Sequence, residues 1–160
     1  MTAMTATTTS PKLIVPAFDG MYDRLSSLGE PLIRVTAGLL LMPHGAQKLF
    51  GWFGGYGLYG TAGFFAANLG LEPGLFWAAL VGGVEFFGGL FLAIGLLTCP
   101  VAAAIAVLMA VAVVQVHLGN GFFWTDGGFE YPLMWGLIAI AFVLRGGGAL
   151  SADARIGHEF

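Results

Sequence analysis

Long runs of apolar residues, separated by short polar or glycine-rich stretches, are the dominant pattern along the chain. A helix needs about 20 apolar residues to cross the hydrocarbon core of a bilayer, which is about 30 Å thick. Four runs approach that length, and they cover about residues 32–50, 74–97, 101–118 and 131–145. We therefore predict an all-α fold, an integral membrane four-helix bundle in contact with the lipid bilayer.

The stretches between the runs predict how the helices connect. Residues 51–73 are dense in glycine and aromatic residues, and they predict a short interfacial helix in the loop between the first two spans. Only residues 98–100 separate the second run from the third, so these helices are expected to form a tight antiparallel hairpin. Residues 119–130 form a second aromatic loop.

The chain divides into three parts. We expect residues 1–30 to be a disordered or interfacial N-terminal segment, because its first 12 residues are small and polar. Residues 31–146 form the membrane domain, and residues 147–160 form a cytoplasmic tail. Lysine and arginine occur before the first span and after the last, whereas the aromatic loops contain none after Lys48. The positive-inside rule then places both termini in the cytoplasm, and we expect a bacterial inner-membrane protein.

Composition supports the membrane assignment and excludes several classes of function. Of the 160 residues, 58% are hydrophobic and 9% are charged, whereas globular proteins carry about 25% charged residues. The net charge of −3 provides no basic surface for nucleic acid. Cys99 is the single cysteine, which excludes an internal disulfide, a Cys-x-x-Cys pair and a thiolate zinc cluster. No metal site is predicted.

Ionisable and polar residues inside the spans are the candidates for chemistry, because each is costly to place in lipid. At about 1.5 Å per residue, His44 and Lys48 lie about 20 and 26 Å along the first span. Glu85 lies about 16 Å along the descending second span, near mid-membrane. Gln115 and His117 lie about 22 and 26 Å along the third. All of these residues therefore fall in the same half of the bundle.

Structural interpretations apply to several candidates. Lys48 and Glu130 lie close enough to the interface to extend towards water. Arg34, near the cytoplasmic face, fits a positive-inside anchor, and His44 could bond backbone carbonyls freed by Pro43. Glu85 fits a structural role less well, because no water is within easy reach at mid-membrane.

Two sequence patterns resemble the DoxX family of small four-helix membrane proteins. The first span contains Arg34, Gly38 and the run HGAQKL at 44–49, and the second contains EFFGG at 85–89 with Gly95 and Thr98. The likeness extends over about residues 32–146. His117 and Glu130 fall where this family tends to carry polar residues. The resemblance implies membrane redox work, because related DoxD and DoxA proteins are associated with thiosulfate:quinone oxidoreduction and other members with quinol oxidase or with complexes that handle thiol and oxidative stress.

The residues narrow the cofactor that such work would use. The chain has no Cys-x-x-Cys-His motif and no iron–sulfur spacing, so it cannot hold a covalent haem or a cluster. A diffusible quinone fits best. Its ring would lie among aromatic residues such as Trp52, Phe53, Phe123 and Trp124, while a carboxylate and a histidine exchange protons.

Our first hypothesis is a quinone-interacting subunit of a membrane oxidoreductase that takes part in quinol-linked or in thiosulfate- or thiol-linked redox reactions. We expect it to work with a membrane or soluble redox partner protein. If the chain is an enzyme, it is an oxidoreductase acting with quinone or quinol. The catalytic set would be Glu85, His44 and Lys48. The residues that bind the quinone or substrate would be His117, Gln115, Glu130, Arg34, Trp52 and Trp124.

Two other classes of function stay open. The glycine-rich helix faces also suit a non-enzymatic membrane module that recruits or stabilises a partner protein, or a homo-oligomer. A small transporter or metal-handling protein could use His44, Glu85 and His117.

Overall fold

The computed structural model describes residues 14–158, and every regular element in that range is helical, which confirms the predicted fold class. The disorder predicted for residues 1–12 falls outside the described residues. The helices are α1 (Asp19–Leu25), α2 (Gly29–Phe50), α3 (Gly57–Leu69), α4 (Gly74–Gly83), α5 (Gly89–Ile94), α6 (Thr98–Ala112), α7 (Glu130–Arg145) and α8 (Ala152–Ile156). Two π-helical turns, Val84–Gly88 and Val113–His117, extend α4 into α5 and prolong α6.

Three helical stretches within residues 14–158 are long and apolar enough to cross a membrane. They are Pro16–Phe50, Gly74–Ile94 and Thr98–Asn120. Helix α7 has 16 residues and extends only about 24 Å, so a fourth span stays a prediction. Many large apolar side chains on these helices are exposed, as expected for surfaces that face lipid. They include Leu39, Leu40, Val107, Val114, Leu137 and Leu144.

Glycines allow the long helices to approach one another closely. Helix α2 packs against α5, and α6 packs against α7. A Cβ atom on Gly38 would overlap the carbonyl oxygen of Gly89, and one on Gly45 would overlap the backbone nitrogen of Phe86. Small residues are the usual means of close helix contact in lipid. The buried core between these helices is Ala37, Leu41, Leu92, Ala102, Ile105, Met109, Ala139 and Phe142.

The connections between helices follow the predicted pattern with one shift. Helix α3 occupies the first glycine-rich loop, where a short helix is predicted, and its Thr61 and Phe65 are buried. The hairpin turn lies at residues 95–97, three residues earlier than predicted. Pro100 lies in the first turn of α6, where the missing backbone N–H costs nothing. Gly95 has a positive φ of 70°, which suits the end of α5.

Candidate functional site

A lysine and a glutamate from two helices meet where α2 passes the first π-helical turn. Lys48 Nζ lies 2.7 Å from Oε2 and 3.0 Å from Oε1 of Glu85. The Glu85 side chain is 9% exposed and that of Lys48 is 26% exposed. Lys48 Nζ also donates to the backbone carbonyl of His44 at 3.4 Å. Removal of either charge would leave its partner uncompensated in a largely apolar setting.

A cavity of about 410 Å³ lies beside this ion pair, and we name it the lysine cavity. Its volume is within the range of small-molecule sites, which is about 300–1,000 Å³. Helix α3 and the loop before it contribute Tyr56, Thr61, Phe64 and Phe65, and the other walls come from α2, the first π-helical turn and α6 with its π-helical extension. The polar side chains in the lining are those of Gln47, Lys48, Tyr56, Thr61, Glu85, Gln115 and His117.

Both π-helical turns contribute to this one cavity. Glu85 belongs to the turn Val84–Gly88, and Gln115 and His117 belong to the turn Val113–His117. A π-helical turn accommodates one more residue than an α-helical turn, and such turns are frequent at functional sites. The lysine cavity is therefore formed where two membrane helices depart from regular α-helical geometry.

His117 is held by the second aromatic loop. Its Nδ1 lies 2.6 Å from the carbonyl oxygen of Gly127, and Asn120 Nδ2 donates to the same oxygen at 3.2 Å. A carbonyl oxygen can only accept, so the geometry assigns the hydrogen of the neutral imidazole to Nδ1. The ring orientation is thus fixed by a backbone group that does not line the cavity.

Four of the predicted site residues lie elsewhere. His44 is exposed and is not part of the cavity lining. Trp52, 55% exposed, packs against two phenylalanine rings, and Trp124 stacks on Tyr131 with ring centroids 5.2 Å apart. Glu130 accepts a hydrogen bond from the backbone nitrogen of Trp124 at 3.2 Å. The structure does not bring the side chains of these four residues to the Lys48–Glu85 pair, although the backbone carbonyl of His44 accepts from Lys48.

Arg34 is also remote from the cavity, because it lies fourteen residues before Lys48, about 21 Å along α2. Its side chain is buried and 2% exposed. The guanidinium nitrogen Nη1 of Arg34 donates hydrogen bonds to the carbonyls of Leu92 and Ala93 at 3.1 and 2.9 Å. Its Nη2 donates to the carbonyl of Leu150 at 2.9 Å. The guanidinium lies at the C-terminal end of α5, where a positive charge is favourable. The carbonyl of Leu92 there also accepts from the backbone nitrogen of Gly95 at 3.1 Å. Arg34 thus bonds backbone groups away from the lysine cavity.

Asp153 makes the matching contact at the N-terminal end of α6. Its carboxylate accepts from the backbone nitrogens of Leu97 and Thr98 at 2.8 and 2.9 Å, and from Thr98 Oγ1 at 2.7 Å. Burial opposes ionisation of Asp153, but these hydrogen bonds, with the nearby charge of Arg34, outweigh it and hold its pKa below the ordinary value. We name Arg34, Thr98 and Asp153 the hairpin clamp, because they hold both ends of the α5–α6 turn.

Sequence reasoning missed Gln47, Tyr56, Thr61 and Asp153. Gln47 lies within the run that carries the family resemblance, which is a signal that could have indicated it. Thr61 and Tyr56 reach the cavity only because α3 folds back against α4. Asp153 lies 55 residues from Thr98, and no local pattern links the two.

No three histidine, cysteine, aspartate or glutamate side chains within residues 14–158 lie close enough together to hold a metal ion.

Comparison with known proteins agrees with this geometry. The profile of the DoxX family matches residues 30–118, more than half of the chain. The chain belongs to the DoxX family. A relative from Bacillus subtilis (strain 168), named "Putative oxidoreductase CatD", is 30% identical over 126 residues, which are 79% of this chain and 85% of the relative. No solved structure matches.

The matched region contains the polar groups of the lysine cavity. Residues 30–118 run from the start of α2 to the end of the second π-helical turn, and they include Lys48, Glu85, Gln115 and His117. Helix α7 and Asp153 lie beyond it. This chain is thus a DoxX-family membrane protein whose candidate site falls within the part that matches the family.

Proposed function

We propose that the chain is the quinone-binding subunit of a bacterial inner-membrane oxidoreductase, and that the lysine cavity holds the quinone ring. The observation that carries this proposal is a largely apolar cavity with one ammonium–carboxylate pair in its wall. The apolar walls suit a ring, and the Lys48 ammonium, which has only donors, suits a ring oxygen. The name of the Bacillus subtilis relative is in line with redox work.

The position of the cavity favours a ligand that arrives through lipid. Phe64, Val111 and Val116 belong to its lining and are 43%, 45% and 38% exposed. Val111 lies about 20 Å and Val116 about 27 Å along the stretch that starts at Thr98, within the thickness of a bilayer core of about 30 Å. A quinone tail would leave the cavity between α3 and α6, because residues of both helices line the cavity and are exposed there.

The chain lacks the cysteines that would hold a covalent haem or an iron–sulfur cluster. In this proposal the electron donor belongs to a partner, and this subunit contributes the ring site. Both termini would lie in the cytoplasm, as the distribution of lysine and arginine predicts.

Two alanines of α6 provide a matched test. Ala112 lines the cavity, whereas Ala110, two residues earlier, is exposed and lies outside it. Binding of ubiquinone-1 to the full chain in detergent is measured by titration calorimetry for wild type, Ala112→Phe and Ala110→Phe. We expect saturable binding that Ala112→Phe weakens by at least about tenfold through overfilling and that Ala110→Phe leaves unchanged. Absence of saturable binding to wild type, or equal loss in both variants, would contradict the proposal.

A further inference from the structure

The two ring nitrogens of His117 have different surroundings. Nδ1 is occupied by the carbonyl of Gly127 at 2.6 Å. Nε2 is separated from Nδ1 by Cε1, and it makes no hydrogen bond to any residue within 14–158. In the neutral ring Nε2 carries the free lone pair, because the hydrogen is on Nδ1. His117 belongs to the lining of the lysine cavity, and Nε2 is the ring nitrogen that the loop leaves without a hydrogen bond.

The second aromatic loop keeps this tautomer in place. Asn120 donates to the carbonyl of Gly127 at 3.2 Å, and the backbone nitrogens of Gly128 and Phe129 donate to the carbonyls of Phe123 and Gly121 at 2.9 and 3.0 Å. The loop is thus a folded unit with its own hydrogen bonds. Its carbonyl at position 127 can be expected to hold the imidazole in one orientation while a ligand enters.

The other polar groups of the cavity differ in kind. The Lys48 ammonium has three donors and no acceptor, and a ligand oxygen would share these donors with Glu85 and the carbonyl of His44. Both carboxylate oxygens of Glu85 already accept from Lys48, at 3.0 and 2.7 Å, which makes them less available to a ligand. The cavity therefore combines a donor at Lys48 with an acceptor at His117, in different walls.

We propose that His117 Nε2 makes the lysine cavity selective for the reduced, hydroxyl-bearing form of its ring ligand. This inference rests on the proposed function, since it concerns the same cavity. A quinol can donate one hydroxyl to Nε2 and accept from Lys48 with the other. A quinone has only acceptor oxygens, so one of them would face the lone pair of Nε2, and an unpaired polar contact of this kind is costly.

Three aromatic compounds of closely similar shape test whether a hydroxyl donor on the ligand is needed for binding, and the test requires no redox reaction. They are 4-methoxy-1-naphthol, which has one hydroxyl donor, and 1,4-dimethoxynaphthalene and 1,4-naphthoquinone, which have acceptors only. Their binding to the full chain in detergent is measured near pH 8. We expect the naphthol to bind about fivefold to tenfold more tightly than the dimethoxy compound, the effect of one hydrogen bond.

Two histidine variants provide the matched control. His117→Phe removes the acceptor, and His44→Phe makes the same change at an exposed position outside the cavity. We expect His117→Phe to abolish the difference between the naphthol and the dimethoxy compound, and His44→Phe to keep it. Asn120→Ala, which removes the other hydrogen bond to Gly127, should also keep it. Equal binding of both compounds to wild type would overturn the selectivity, while failure of all three to bind would count against the proposed function itself.

Discussion

The lysine cavity and the hairpin clamp each combine a basic residue of α2 with a carboxylate from another part of the chain, but they use these charges differently. In the clamp, Arg34 and Asp153 bond backbone groups at the two ends of the α5–α6 turn. In the cavity, Lys48 and Glu85 bond each other beside about 410 Å³ of space. The charges of the clamp hold the turn through backbone groups, whereas the Lys48–Glu85 pair forms part of the wall of an open cavity.

The largest expected effect comes from an isosteric change in the clamp. In Asp153→Asn, an amide NH2 replaces one of the two oxygens that accept from Leu97 and Thr98. The new amide N–H would then face an N–H or O–H group that needs an acceptor, and we expect a loss of about 3 kcal/mol in the free energy of unfolding. Thermal unfolding in detergent measures this loss. Asp126→Asn in the exposed loop is the control and should change the free energy of unfolding by less than about 0.5 kcal/mol. Equal losses in Asp153→Asn and Asp126→Asn would show that Asp153 has no special role in stability.

Lowering the pH should reduce the stability that the hairpin clamp contributes, as Asp153→Asn does. The pKa of Asp153 is lowered from 3.8 in the folded chain, so folding favours its ionised form. This stabilisation is fully present above the ordinary pKa and is lost as the pH falls through the lowered one. The difference in melting temperature between wild type and Asp153→Asn should therefore narrow at strongly acid pH. A difference that widens on acidification would contradict this account of the clamp.

The matching amide change in the cavity should have the smallest effect on stability. Glu85→Gln keeps one acceptor for Lys48, whose side chain is 26% exposed and can reach solvent or headgroups. We expect a loss of about 1 kcal/mol in the free energy of unfolding. The same unfolding assay measures it beside Asp153→Asn. A loss as large as that of the clamp variant would show that the Lys48–Glu85 pair holds the fold as well.

The sequence was sufficient to predict three long apolar helices and a short helix in the first glycine-rich loop, because these depend on local residue pattern. It did not separate His44 from Lys48, which lie four residues apart on one side of α2. The structure leaves His44 exposed, while the longer Lys48 side chain reaches Glu85. Which part of a helical face points inward depends on packing between helices, and residue spacing alone does not determine it.

Contacts between residues far apart in the chain could not be predicted from the sequence either, because they also depend on how the helices pack. Arg34 resembles an ordinary positive-inside residue until its carbonyl partners on α5 are known. The π-helical turns at Val84–Gly88 and Val113–His117 arise where packing favours one extra residue per turn, and no residue type marks them. The role of His117 depends on a carbonyl in a loop ten residues away.

The hairpin clamp also has a consequence for biosynthesis. Thr98 leaves the ribosome 55 residues before Asp153, which at about 5–20 residues per second is a delay of about 3–11 s. During that interval the first turn of α6 has backbone donors without their final acceptor, although the α5–α6 hairpin is already available for insertion. The hairpin turn is therefore closed only after Asp153 has been made, and nascent chains stopped before Asp153 would carry an open turn.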